Sequence, residues 1–221
     1  MGTTILSVLV ETVDPAIRGW VHSGDNQRDD ALILTHGAGS DCNAPLLVAL
    51  SEAFCGHGYT VLRCDLPFRQ SRPTGPPFPG QADRDRAGLR NAVEAMRKQV
   101  TEKIFLGGHS YGGRQSTILC AAEPDLVSGL LLLSYPLHPP RKPYQLRTQH
   151  LPSLRTPSLF VQGTRDPFGS IDEIKKALQL IPARHELMEV ENVGHDLGFK
   201  GRQQAHSLPA RIFARFDEMF G

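Results

Sequence analysis

A serine with glycine two residues away on either side, Gly108-His109-Ser110-Tyr111-Gly112, follows the apolar run Ile104-Phe105-Leu106 and precedes a stretch of helical character. A hydroxyl on a sharp strand-to-helix turn is a candidate nucleophile, because the turn exposes its oxygen and the glycines let the chain pass close to its neighbours. The five-residue pattern also arises by chance, so context must supply the specificity. Attack on a carbonyl further needs a base to take the serine proton, an acid to orient that base, and amide donors for the developing oxyanion. Each part has a candidate. His195, in Glu191-Asn192-Val193-Gly194-His195-Asp196 after the last apolar run, is the candidate base. Of the nine histidines only His206 also lies beyond that run, and it reads as a solvated residue near a helix start. Asp166, in Gly163-Thr164-Arg165-Asp166-Pro167 just past Leu159–Val161, is the candidate acid. Its rivals Asp172 and Glu173 fall in a helical first turn, where carboxylates serve the dipole, and no acid occurs between Asp125 and Asp166. The loop Thr35-His36-Gly37-Ala38-Gly39-Ser40 offers the Ala38 N–H to an oxyanion, with the Tyr111 N–H as second donor. The plainer alternative for this loop is a flexible connection. Asp196 reads as an exposed or capping acid.

Such parts converge only if the elements between them form a sheet with its loops on one edge. Ala31–Leu34, Val61–Leu62, Ile104–Leu106, Leu130–Leu133, Leu159–Val161 and Leu187–Val190 read as strands, most of them buried on both faces. Thr4–Val10 and Ile17–Val21 fit an antiparallel edge. Leu46, Leu47, Leu50 and Phe54 share a helical face, as do Leu89, Val93, Met96 and Val100, and Ile171, Ile174, Leu178 and Ile181. Ser170 and Glu173 form a capping box, and Ser207 and Pro209 open a last helix that turns Ile212, Phe213 and Phe216 inward. The alternation predicts a three-layer α/β/α sandwich around a mostly parallel sheet of about seven or eight strands. Sites in such sheets lie beyond the carboxyl ends of the strands, where the candidates above fall.

A chain of 221 residues with 40% hydrophobic content can bury one full core, so residues 1–221 are expected to form a single domain. With 24 basic and 23 acidic residues the net charge is +1, and no overall field favours nucleic acid or an anionic membrane as partner. Cys42, Cys55, Cys64 and Cys120 show neither disulfide-framework nor zinc spacing, and His, Asp and Glu do not cluster as ligands. Neither metal nor cofactor is expected. Met1–Val10 lacks a basic start and a cleavage site, and no apolar run spans a bilayer, so a cytoplasmic protein is expected. Oligomeric state is not readable.

Elbow, glycine loop, acid and histidine, in the order Ser110, Asp166, His195, resemble the α/β-hydrolase superfamily over nearly the whole chain. His36-Gly37-Ala38-Gly39-Ser40, Ser134-Tyr135-Pro136-Leu137-His138-Pro139-Pro140 and Gly163-Thr164-Arg165-Asp166-Pro167-Phe168-Gly169 further resemble a small dienelactone-hydrolase-like subgroup. That subgroup includes relatives of a testis-expressed protein and of a subunit of the non-specific lethal chromatin complex. His109 and Tyr111 depart from the Arg and Met that close relatives would carry beside the serine. The resemblance implies acyl transfer to water from a small soluble ester, thioester or amide. It also implies a structural role for His36, which precedes the serine in the chain. The alternative is a catalytically silent member acting as a binding module. Only about two dozen residues, Ser134–Pro157, stand where many relatives insert a cap, so no large lid is expected. That segment carries Arg141, Lys142, Arg147 and Arg155 without an acid. Arg141 and Arg147 are candidate rim contacts for a carboxylate-bearing or phosphate-bearing substrate, or else belong to a solvated loop. Phe68 and Phe78, in a segment with five prolines between Asp65 and Gly80, either wall the cleft or pack beneath their own loop.

Overall fold

The computed structural model describes residues 3–24, 28–199 and 207–221. Its strands are β1 (Thr3–Val10), β2 (Ile17–Gly24), β3 (Ala31–Thr35), β4 (Thr60–Cys64), β5 (Ile104–His109), β6 (Gly129–Leu133), β7 (Ser158–Gly163) and β8 (His185–Val190). All join one sheet in the order β1-β2-β4-β3-β5-β6-β7-β8. From β4 to β8 every neighbouring pair is parallel, while β2 runs antiparallel to both β4 and β1. The helices are α1 (Pro45–Cys55), α2 (Pro67–Ser71), α3 (Ala82–Met96), α4 (Tyr111–Ala122), α5 (Ile171–Leu178) and α6 (Leu208–Phe220).

Strand side chains alternate between faces, so neighbouring residues of one run feed two separate cores. Ile33, Leu106, Leu130, Leu132 and Phe160 pack under α3, α4 and α5, with Leu89, Val93, Leu119 and Ile174. Leu32, Leu34, Phe105, Leu131 and Val161 pack under α1 and α6, against Leu47, Phe54, Ile212 and Phe216. This is the expected three-layer sandwich, and each fully buried Leu or Phe contributes about 1.5–3 kcal/mol. Phe54, Phe105 and Phe216 meet edge to face, with centroids 5.0 Å apart for Phe54–Phe216 and 4.8 Å for Phe105–Phe216.

Several boundaries differ from the sequence reading, each for a local reason. The third amphipathic helix stops at Leu178, because Ile181 precedes Pro182, which disfavours helical backbone before it. Ile181 is still buried, in the turn that follows. In α3 the ladder closes with the Gln99 and Val100 amides both donating to the Met96 carbonyl, and Val100 joins the core from that turn. The capping box at Ser170 and Glu173 is present. Ser207 precedes α6 without a side-chain cap, and Pro209 occupies its first turn. The short helix α2 was not anticipated; Pro67 starts it with a preset backbone angle. Between β6 and β7 there is one 3₁₀ turn, Leu151–Ser153, and no cap domain. The expected site of His206 lies outside the described residues. Among the described residues no helix is long and apolar enough to cross a membrane.

Candidate active site

Ser110 joins β5 to α4 with φ 52° and ψ −113°, backbone angles that few non-glycine residues adopt. The strain is held from both sides. The Ser110 amide donates to the Leu133 carbonyl at 2.8 Å, and its carbonyl accepts from the Arg114 amide at 2.9 Å. A Cβ on Gly112 would stand 2.5 Å from Thr35 Cγ2 and 2.6 Å from the His36 carbonyl oxygen, so only glycine lets the elbow lie against the loop after β3.

The loops after β7 and β8 meet across Gly163, where a Cβ would come 2.5 Å from the Val193 carbonyl oxygen. The Arg165 amide donates to that same carbonyl at 2.9 Å. This close approach carries Asp166 to His195, and His195 to the serine. Ser110 Oγ lies 2.7 Å from His195 Nε2, and His195 Nδ1 lies 2.8 Å from Asp166 Oδ2. The carboxylate is an acceptor, which assigns the imidazole proton to Nδ1 and leaves Nε2 to accept from the serine hydroxyl. Asp166 has a fully buried side chain, and its charge is satisfied at both oxygens. Oδ1 accepts from the Phe168 amide at 2.8 Å, and Oδ2 also accepts from Gln162 Nε2 at 3.0 Å. The Phe168 ring stacks on His195 with centroids 4.2 Å apart, and His109 Nε2–H donates to the His195 carbonyl at 2.7 Å. Ring, backbone and acid thus fix one orientation of the imidazole. Asp196 accepts from the Gly198 amide within its own turn.

Ala38 and Tyr111 face the same cleft as Ser110 and His195. Tyr111 opens α4, so its N–H is one that the helix leaves without an internal acceptor. The Ala38 carbonyl is held by Arg69 Nη2 at 2.9 Å, and Arg69 also donates to the carbonyls of Ser40, Arg72 and Gly75. One buried guanidinium therefore sets the path of the loop after β3. Sequence reasoning missed Arg69, although an arginine just after a Pro at a strand's carboxyl end was the available signal. His36 is fully buried: Nδ1–H donates to the Gly37 carbonyl at 2.8 Å, and Nε2 accepts from the Leu66 amide at 3.1 Å. Burial lowers its pKa, so it is a neutral brace between two loops. Below the elbow the Tyr111 hydroxyl donates to Asp85 Oδ2 at 2.7 Å, and Asp85 Oδ1 accepts from the Phe68 amide at 3.0 Å. Burial pushes the Asp85 carboxyl up and these hydrogen bonds oppose it.

The rim departs from the sequence reading at three positions. Phe68 is buried beneath its own loop, edge-on to Tyr111 at 5.7 Å and to His36 at 5.6 Å, so it supports the elbow and does not wall the cleft. Phe78 is 59% exposed outside the cleft, with Arg72 over its ring, because the loop swings outward at Gly75 and Gly80, both at positive φ. Arg141 is exposed in the turn that the Lys142 amide closes on the Pro139 carbonyl. Arg147 does line the cleft, drawn back by its amide donating to the Leu137 carbonyl at 2.8 Å. Arg114, unremarked in the sequence, lines it too.

The cleft has a volume of about 430 Å³. Clefts of about 550 Å³ beside Glu11–Ala16 and beside Arg18 and Trp20 contain no histidine, so chemistry and not size selects the site. The four cysteines are buried, burial raises each thiol pKa, and none of them lines the cleft, so Ser110 stands there as the candidate nucleophile. Among the described residues no three His, Cys, Asp or Glu side chains are grouped to hold a metal.

The profile of the family described as an alpha/beta hydrolase domain matches residues 28–213. A Salmonella typhimurium protein that carries the name of a carboxymethylenebutenolidase is 24% identical over 243 aligned positions, covering 92% of this chain and 86% of its own. The dienelactone hydrolase of Anabaena variabilis superposes with a TM-score of 0.78 at 18% identity, over 100% of both chains. A Xanthomonas campestris α/β serine hydrolase described as lacking a lid superposes with a TM-score of 0.74 at 17% identity, over 98% of this chain and 96% of its own.

Proposed function

The chain belongs to the alpha/beta hydrolase domain family, and from that premise we propose that it is a serine hydrolase cleaving an ester or related acyl bond of a small substrate through an acyl-enzyme. The observation that carries the reading is the unbroken relay from Ser110 Oγ to His195 to Asp166, at 2.7 and 2.8 Å. Ser110 Oγ forms a bond to the carbonyl carbon while its proton passes to His195 Nε2. The carbonyl π electrons move to oxygen, and the Ala38 and Tyr111 amides hold the charge. Collapse breaks the bond to the leaving group, which takes the proton from His195. Water then gives a proton to His195, attacks the acyl carbon and releases the acid with Ser110 restored. Asp166 stays ionised throughout and stabilises the imidazolium.

The short connection between β6 and β7 supports a small substrate that enters an open cleft. On the same footing we propose, from the loop motifs quoted above, a kinship with the testis-expressed and chromatin-complex relatives, and, from the cysteine spacing and the absence of ligand-spaced residues in the sequence, a cytoplasmic protein that works without a cofactor. The experiment is labelling with a fluorophosphonate beside turnover of p-nitrophenyl esters of graded chain length. One adduct at Ser110, absent in Ser110→Ala, is expected. Absence of both labelling and turnover would replace this reading with the silent binding module.

A further inference from the structure

One side of the cleft carries charge that the protein does not match. Arg114 lies on α4 one helical turn beyond Ser110, and Arg147 enters from the segment after β6, where its Nη1 donates to the Pro136 carbonyl at 3.2 Å. Among the described residues no Asp or Glu lines this cleft. Among the described residues neither guanidinium is in an ion pair, and the sequence between Phe199 and Ser207 contains no acid. Arg114 Nε is buried with no hydrogen-bond partner among the described residues. Among the described residues the groups behind the pair bring no carboxylate, and Tyr135 only partly opposes the charge of Arg114 on Arg147. The Tyr135 hydroxyl donates to the Arg147 carbonyl at 2.9 Å, and burial, with Arg114 and Arg86 nearby, pushes His150 down to about 4. Burial first, and then the charge of Arg114, lowers the Arg147 pKa as well. Two half-buried cations kept together without an acid cost free energy unless a bound anion offsets the repulsion.

We infer that Arg114 and Arg147 form an oxyanion-binding subsite beside the nucleophile, and that the substrate carries on its acyl or leaving portion a dianionic group of the phosphate monoester kind. The inference rests on the hydrolase reading and names its substrate class. Charge count selects the dianion: a phosphate monoester brings about 1.5 to 2 negative charges at neutral pH against two guanidiniums. Each planar fork also matches a pair of phosphate oxygens. A single carboxylate leaves one cation unmatched. The cleft of about 430 Å³ holds such a group together with a short acyl chain.

The test is calorimetric binding of methyl phosphate, dimethyl phosphate and acetate to the whole protein at pH 8, with melting curves for each variant. Methyl phosphate is expected to bind and to slow fluorophosphonate labelling, with the two monoanions about tenfold weaker or worse. Arg114→Gln and Arg147→Gln are each expected to lose about tenfold in methyl phosphate affinity, as loss of a charged hydrogen-bond donor predicts. Arg147→Lys, which keeps the charge without the fork, should fall between, and Arg141→Gln should bind like the parent. Absent methyl phosphate binding, equal binding of all three anions, or full affinity in either Gln variant overturns the inference. The wild-type series decides even if a variant fails to fold. Labelling of Ser110 without anion binding removes the subsite alone, whereas anion binding without labelling removes the hydrolase reading.

Discussion

Asp166→Asn tests the relay at a single atom. Oδ1 accepts from the Phe168 amide at 2.8 Å, so the amide oxygen of the new side chain must take that position. Its NH₂ then replaces Oδ2, 2.8 Å from His195 Nδ1 and 3.0 Å from Gln162 Nε2. Gln162 can relieve the second clash by turning its amide over, since its own Oε1 has no partner among the described residues, at the cost of the bond its Nε2 donates to the Gly169 carbonyl at 3.3 Å. His195 has no such freedom: stacked on Phe168, it must accept at Nδ1, and its proton moves to Nε2, opposite Ser110 Oγ. An imidazole protonated there cannot take the serine proton. The wrong tautomer is worth about 10⁴ in turnover, or about 5 kcal/mol of barrier. Steady-state hydrolysis of a short-chain p-nitrophenyl ester measures it, with a melting curve to show that the near-isosteric variant is folded. A folded variant within tenfold of the parent would refute the tautomer argument.

Gly112→Ala drives a Cβ into Thr35 and the His36 carbonyl, so elbow and oxyanion loop must separate. Turnover of the same ester should fall about 10²-fold, against about 1–3 kcal/mol of stability by urea denaturation. Arg69→Leu leaves four carbonyls without their donor and should lower the urea-derived stability by about 3–5 kcal/mol, with turnover falling in whatever folded fraction remains. The histidines His22 and His150 have folded pKa values of about 4, both depressed chiefly by burial. Below an unfolded value near 6.5 the unfolded chain therefore binds more protons than the folded one. Their contribution is complete above about pH 6.5 and is lost as pH falls towards 4, so the thermal midpoint should drop steadily across that window.

The strands were legible because a doubly covered parallel strand must be apolar on both sides, and short runs such as Leu130–Leu133 have the length and the apolar character for it. The placement of Ser110, Asp166 and His195 was legible for a related reason: each follows such a run by a few residues, and the runs fix the edge at which they emerge. Their roles in catalysis await the tests above. Local competition set the helix ends, as Pro182 did for α5, and periodicity carries no such information. Least readable were groups whose meaning is a partner distant in the chain. Asp85 gains its role from Tyr111 and Phe68, Gln162 from Asp166, and Arg69 from four carbonyls. Arg114 and Arg147 are defined by acids they lack, and a one-dimensional string does not display a missing neighbour.

Every described loop that lines the cleft leaves the sheet at the carboxyl ends of β3, β5, β6, β7 and β8, and the turns at the opposite edge, such as Gln99–Lys103 ahead of β5, touch none of it. The molecule thus has a working end and a plain end. New termini, fused reporters or surface tethers belong at the plain end, where the backbone can be reopened without disturbing the geometry that the serine, histidine and aspartate share.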